Sequence, residues 1–158
     1  MRKSLAEYLL KEMAVNKDIF FVTGDLGYKL WDTIRDTFPD RFYNVGASEM
    51  AGVLICVGLA LEGKIPIFYS ISSFAVYRPF EVIHTYLHHE QIPVKIIGSG
   101  RDFDYKIDGF SHHSPGMKKI LGTMPNIKQY WPNKVDNLPN MFEDFIYNKR
   151  PSFISLRK

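Results

Sequence analysis

Phe42-Tyr43-Asn44-Val45-Gly46-Ala47-Ser48-Glu49-Met50-Ala51-Gly52-Val53 runs on through Leu59-Ala60-Leu61-Glu62-Gly63-Lys64 into Ile65-Pro66-Ile67-Phe68-Tyr69. The first four residues read as a short strand and the last five as another. Between them lies a small, apolar helix that begins near Ser48. Two strands separated by a helix of this length are a parallel pair with a crossover, which is right-handed as a rule. One carboxylate, Glu49, sits in the first turn of the otherwise apolar helix, which is expected to present Gly52, Leu54 to Val57, Leu59 and Leu61 to a core. A first-turn acid complements the helix dipole, so capping alone accounts for Glu49 at this stage.

The same alternation extends in both directions. Leu5, Tyr8, Leu9 and Met13 recur at helical spacing before the short apolar run Ile19 to Thr23 and the turn Gly24-Asp25-Leu26-Gly27. A helix is expected over Trp31 to Phe38. Downstream, helices are expected over Phe80 to Glu90, Met117 to Leu121 and Leu138 to Tyr147, interleaved with strands at Val94 to Ile97, Ile127 to Tyr130 and Ser152 to Leu156. Such a chain makes an α/β fold, a mainly parallel sheet with helices on both faces, as one domain over residues 1–158. Ligands of open parallel sheets gather beyond the carboxyl ends of the strands. Asp25 follows the first strand, Glu49 the second, Phe74 the third, and Asp108 with His112 the fourth, so these candidates share one edge.

Composition excludes several classes. The chain has 158 residues, 46% hydrophobic and 23% charged, which is ordinary for a globular domain and wrong for disorder. The net charge of +3 is spread out rather than clustered, so nucleic acid is not an expected partner. No apolar run approaches the ~18 residues of a membrane span, and the charged start Met1 to Glu12 does not read as a signal peptide. The single cysteine, Cys56, falls within the apolar helix and is expected to be a buried, inert thiol, consistent with a cytoplasmic location. His84 and His88 share a helix face by i,i+4 spacing, and His112 adjoins His113, but neither pair has the three or four converging ligands that zinc requires; no metal site is expected.

Phe38-Pro39-Asp40-Arg41-Phe42-Tyr43-Asn44-Val45-Gly46-Ala47-Ser48-Glu49 resembles the segment "FPDRFxNVGIAEQ" of the pyrimidine-binding domain in transketolase-type, thiamine-diphosphate-dependent enzymes. The resemblance continues through Gly63-Lys64-Ile65-Pro66, Tyr69-Ser70, Asp108-Gly109-Phe110-Ser111-His112-His113 and Met124-Pro125-Asn126-Ile127, in family order over most of the chain. It implies the thiamine-diphosphate-binding pyrimidine-domain fold. It also implies a role for Glu49: in the family, a carboxylate here hydrogen-bonds the pyrimidine N1′ and favours the imino tautomer whose nitrogen accepts the thiazolium C2 proton.

Other roles follow by the same resemblance. Ile71 to Tyr77 matches the stretch that stacks aromatic rings on the aminopyrimidine, with Phe74 as the stacking residue and Tyr77 beside it; Ser72 and Ser73 place Phe74 at a loop edge. Core packing is the plain alternative for both rings. Asp25 and Leu26 match the family's "ADL" turn beside the cofactor, where an ordinary Asx turn is the alternative. Asp108, His112 and His113 match a "DGxSHH" loop facing the substrate, with Asp108 binding a hydroxyl and His112 stabilising or shuttling protons at the reacting carbonyl.

Departures matter too. Gly100 stands where transketolases carry a histidine that touches substrate phosphate, with Arg101 as the neighbouring cation. The "GDG" and "NN" signature that holds magnesium and diphosphate is missing. The resemblance therefore implies the pyrimidine half of a split transketolase: a subunit, inactive alone, that pairs with a separate diphosphate-binding subunit carrying Mg2+, as a homodimer within an α2β2 assembly, for ketol transfer between sugars. A deoxyxylulose-phosphate-synthase-like enzyme, a 2-oxoacid dehydrogenase E1-beta-like subunit, and a non-catalytic module of the same fold are the alternatives.

Overall fold

Six strands lie side by side in a computed structural model that describes residues 1–133 and 138–158. They are β1 (Ile19–Thr23), β2 (Phe42–Asn44), β3 (Ile65–Ile71), β4 (Lys95–Ser99), β5 (Lys128–Tyr130) and β6 (Ser152–Leu156). The order is β2-β1-β3-β4-β6-β5 and every pairing is parallel. Because β1 connects outward to β2 while β3 returns to its other side, the connections diverge at the carboxyl ends of β1 and β3, the position where such sheets open a crevice.

Alternation along each strand divides the core in two. Phe21, Ile67, Tyr69, Ile97 and Ile154 face α1 (Arg2–Val15), α2 (Asp32–Thr37) and α7 (Leu138–Tyr147). Val22, Phe68, Ile96 and Phe153 face the opposite layer, made by α3 (Glu49–Leu61), α4 (Ser72–Tyr77), the turn α5 (Phe80–Val82) and α6 (Met117–Gly122). This is the period-2 switch that a sheet covered on both faces demands. Leu5, Leu9 and Met13 of α1 are buried at the expected spacing, and Cys56 is fully buried, which pushes its thiol up from its ordinary value.

Three local expectations are corrected. On α3 the buried set is Glu49, Gly52, Val53, Cys56 and Val57, while Leu54, Ile55 and Leu61 point outward, Leu61 at 70% exposure. A helix apolar all round hides which face meets the sheet, and here steric fit decides: a Cβ on Gly52 would stand 2.5 Å from Phe68 Cε2, so this position brings α3 closest to β3. Ser72 and Ser73 do not mark a loop edge. They open α4, both buried, with Ser72 Oγ donating to Gly100 O and Ser73 Oγ to Ser111 O at 2.7 Å. The expected helix over Phe80 to Glu90 is α5 followed by a π-helical stretch, Ile83–His89, closed by Glu90 N donating to Thr85 O. Ile83 and Leu87 still reach the core.

At the opposite end of the sheet, Lys95 opens β4 with 1% exposure. Its Nζ donates to Arg150 O at 2.6 Å and Asn148 O at 2.7 Å, fastening the turn that leaves α7. Burial favours the uncharged amine and holds its pKa down at about 7, from 10.5. The unfolded chain thus binds a proton below pH 10.5 that the folded chain takes up only near 7, so the contribution of Lys95 to stability rises with pH between those values. Urea denaturation should show the midpoint increasing from about pH 7.5 to about pH 8.5, below the range in which the buried Cys56 thiol opposes it, with a slope of up to about 1.4 kcal/mol per pH unit, and Lys95→Met should flatten it. A wild-type midpoint that does not move would show that the buried amine stays charged.

Candidate active site

Packing sets the position of Glu49. Phe68 and Ser70 lie two residues apart on β3 and so share the face beneath α3. Gly52 settles on Phe68, and one turn earlier Glu49 meets Ser70, whose Oγ donates to Glu49 Oε1 at 3.2 Å. The carboxylate is 3% exposed. Its other oxygen, Oε2, accepts from Arg78 Nη1 at 2.6 Å. Arg78 in turn lies flat against Phe74, with its guanidinium carbon 3.7 Å from the ring centroid.

Asp25, Leu26, Glu49, Phe74 and His112 line one cleft of about 250 Å³ at the carboxyl ends of β1 to β4, with Arg78 across it. His112 meets the Phe74 ring edge-on at 4.8 Å between centroids, and its Nδ1 is 3.1 Å from Ser111 Oγ. The Ser73–Ser111 bond ties this loop to α4, so the imidazole and the aromatic face are held as a unit. Asp25 accepts from Tyr28 Oη at 2.5 Å and from Asn44 Nδ2 at 3.3 Å, which anchors the turn after β1 to the end of β2. The bond from Tyr28 raises its phenol above the ordinary pKa.

The remaining sequence candidates lie outside the cleft. Tyr77 is 40% exposed at the end of α4. Asp108 is exposed at the end of the short 3₁₀ turn Lys106–Asp108. His113 is half-buried with its ring 5.2 Å from Phe103, and its Nε2 lacks a partner among the described residues. Arg101 is no substitute for the histidine missing at Gly100. Its guanidinium is buried and spent on Ser155 Oγ and O, Pro132 O and Asn133 Oδ1. The ring of Tyr105 packs over Gly100 instead, where a Cβ would stand 2.3 Å from Tyr105 Cε2.

Ser70 and Arg78 were not among the sequence candidates. Ser70 does carry a signal, a polar residue on the strand face that otherwise packs on α3. Arg78 carries none, because its place depends on how α4 ends. A larger groove of about 460 Å³ between α1 and α2 is lined by Leu10, Leu30 and Ile34 among others and gathers no comparable chemistry. Among the described residues, no cluster of three or more His, Cys, Asp or Glu could hold a metal ion, and no helix is long and apolar enough to cross a membrane.

A buried glutamate beside an aromatic ring thus lies at the carboxyl edge of a doubly covered parallel α/β sheet. The chain belongs to the family of the transketolase pyrimidine-binding domain, which matches residues 1–158. It is 32% identical over 133 residues to one subunit of the apulose-4-phosphate transketolase of Phocaeicola vulgatus, covering 83% of this chain and 42% of that protein. It is 27% identical over 157 residues to a putative transketolase C-terminal section of Methanocaldococcus jannaschii, covering 99% of this chain and 50% of that one. The chain thus spans half or less of the length of these relatives. Among solved structures, a split-gene transketolase described as an inactive beta4 tetramer superposes with a TM-score of 0.86 at 23% identity, over 99% of this chain and 50% of that chain.

Proposed function

We propose that this chain is the pyrimidine-binding subunit of a split transketolase-like enzyme that transfers two-carbon ketol units between sugars. The observation that carries the proposal is Glu49, a carboxylate buried to 3% exposure beside an aromatic face. Burying an acid is costly unless it is bonded; Ser70 and Arg78 bond its two oxygens, and a pyrimidine nitrogen suits the place of the more exposed of these partners. Thiamine diphosphate fits these residues and supplies, when bound, the carbanion chemistry of ketol transfer. Glu49 would hold a proton at the pyrimidine N1′ while Ser70 fixes the carboxylate through its other oxygen, and Phe74, Leu26 and Asp25, which line the same cleft, would hold the ring. His112 serves the reacting carbonyl. Asp108 and His113 contact sugar hydroxyls once their loop is covered. Tyr77 borders the same edge from outside the cleft.

Two surfaces support the rest. A recess of about 340 Å³ beside the Asp25 turn is lined by Arg2, Lys3, Arg157 and Lys158, a setting for an anionic end of the sugar. The loop before His112 exposes Phe103 at 51%, Ile107 at 93% and Phe110 at 88%, apolar area that a second polypeptide would bury. That second polypeptide carries Mg2+ and the diphosphate groups, in an α2β2 assembly whose pyrimidine halves form a homodimer. One relative is a transketolase subunit and another a transketolase C-terminal section, which fits such a division. A cytoplasmic enzyme of carbohydrate metabolism, inactive as the single chain, is the resulting picture.

Calorimetry with thiamine diphosphate and magnesium tests it, using this chain alone and mixed with a diphosphate-binding transketolase subunit from the same organism. Tight binding in the mixture alone, followed by ketol transfer that favours phosphorylated over unphosphorylated ketoses, is expected. Tight binding by the single chain would remove the split-site reading.

A further inference from the structure

One of the chain's own side chains lies across the cleft. Arg78 leaves the end of α4 just before Pro79 and reaches back over the cleft, its side chain 44% exposed while the Glu49 side chain beneath it is 3% exposed. Among the described residues Glu49 is its hydrogen-bond partner, at 2.6 Å, and the ring of Phe74 is its stacking surface, at 3.7 Å. The two features that would receive an aminopyrimidine, a carboxylate oxygen and an aromatic face, are thus both taken by a single planar group. The match is chemical as well as spatial. A guanidinium is a flat group that donates to a carboxylate in its plane and stacks through its face, and an aminopyrimidine likewise shares one proton with a carboxyl group in the ring plane, at N1′, and stacks through its face.

We propose that Arg78 is an internal stand-in for the pyrimidine ring, occupying its two contacts on Glu49 and Phe74 and withdrawing when the ring enters. This rests on the assignment of the cleft to thiamine diphosphate. The exchange is compact. Ser70 bonds Oε1 and Arg78 bonds Oε2, so withdrawal frees one carboxylate oxygen and leaves the other held in place. The exposed guanidinium has open solvent to move into, and it breaks no other hydrogen bond among the described residues. Ligand affinity therefore carries the cost of breaking the Arg78–Glu49 pair, and a chain without Arg78 does not bear it.

The test uses the neutral probe 4-amino-5-hydroxymethyl-2-methylpyrimidine with the chain alone, so that removing a cation does not change the charge balance of binding. Titrations followed by NMR compare wild type, Arg78→Ala and Glu49→Ala. Expected are an Arg78 side-chain N–H signal protected in the free wild-type chain and lost as the probe binds, affinity on the order of ten-fold tighter in Arg78→Ala, about 1.4 kcal/mol, and no binding by Glu49→Ala. Probe binding that is unchanged or weaker in Arg78→Ala, with wild type binding normally, would overturn the stand-in while leaving the cofactor assignment intact. Failure of both wild type and Arg78→Ala to bind, alone and again when mixed with the diphosphate-binding subunit, or full binding by Glu49→Ala, would overturn the cofactor assignment and the stand-in with it.

Discussion

Replacing Glu49 by glutamine or alanine in the reconstituted two-subunit enzyme is expected to lower kcat by about 10²- to 10⁴-fold, the range for loss of a positioned acid–base group. The chain should remain folded. Glutamine keeps the shape and still offers a carbonyl to Arg78 or Ser70, yet it cannot hold a proton at a ring nitrogen as a carboxyl group does. Alanine shortens a first-turn residue whose burial comes from Ser70 and the α3–β3 contact at Gly52, both of which remain. Steady-state kinetics with thermal midpoints measured alongside separates chemistry from folding. Variants that keep more than about a tenth of wild-type kcat would sink the catalytic assignment of Glu49.

The second large effect is expected on stability, from Arg101→Leu. Arg101 is 7% exposed and ties three segments together: its Nε donates to Ser155 Oγ at 3.2 Å, Nη2 to Ser155 O at 2.7 Å and Pro132 O at 2.9 Å, and Nη1 to Asn133 Oδ1 at 2.8 Å. Leucine replaces the stem but strands these acceptors at the exits of β5 and β6. With a net contribution of roughly 1.5–3 kcal/mol for hydrogen bonds to a charged group, loss of at least about 3 kcal/mol is a conservative sum. At this chain length that lowers Tm by roughly 6 to 12 °C. Arg101→Lys should rescue little, since an ammonium cannot span the four acceptors as the guanidinium fork does. Lysine at wild-type Tm would show that charge, rather than the fork, is what matters there.

Most strands could be read directly because a sheet covered on both faces needs short, mostly apolar runs, and Ile19 to Thr23 and Ser152 to Leu156, with only small hydroxyl residues among their apolar ones, have that form. Strand ends were less visible: β3 continues two residues past Tyr69 because Ser70 is buried beneath α3 and Ile71 lines the cleft, which no local propensity records. The outward face of α3 was hidden for the opposite reason, since Leu54 and Leu61 are as apolar as the residues inside. Within the cleft, Asp25, Glu49, Phe74 and His112 were legible as strand-end residues of a parallel sheet, and geometry brings those four together. Arg78 was not, because a charged residue before a proline looks the same whether it meets solvent or a buried acid.

Strand order also bears on synthesis. β5 precedes β6 in the chain, yet β6 lies between β4 and β5. Until Ser152–Leu156 leave the ribosome, β5 has no neighbour to pair with and the β4 edge stands open, so the far third of the sheet assembles last. A stalled or prematurely ended chain that lacks β6 exposes the β4 edge to other nascent chains.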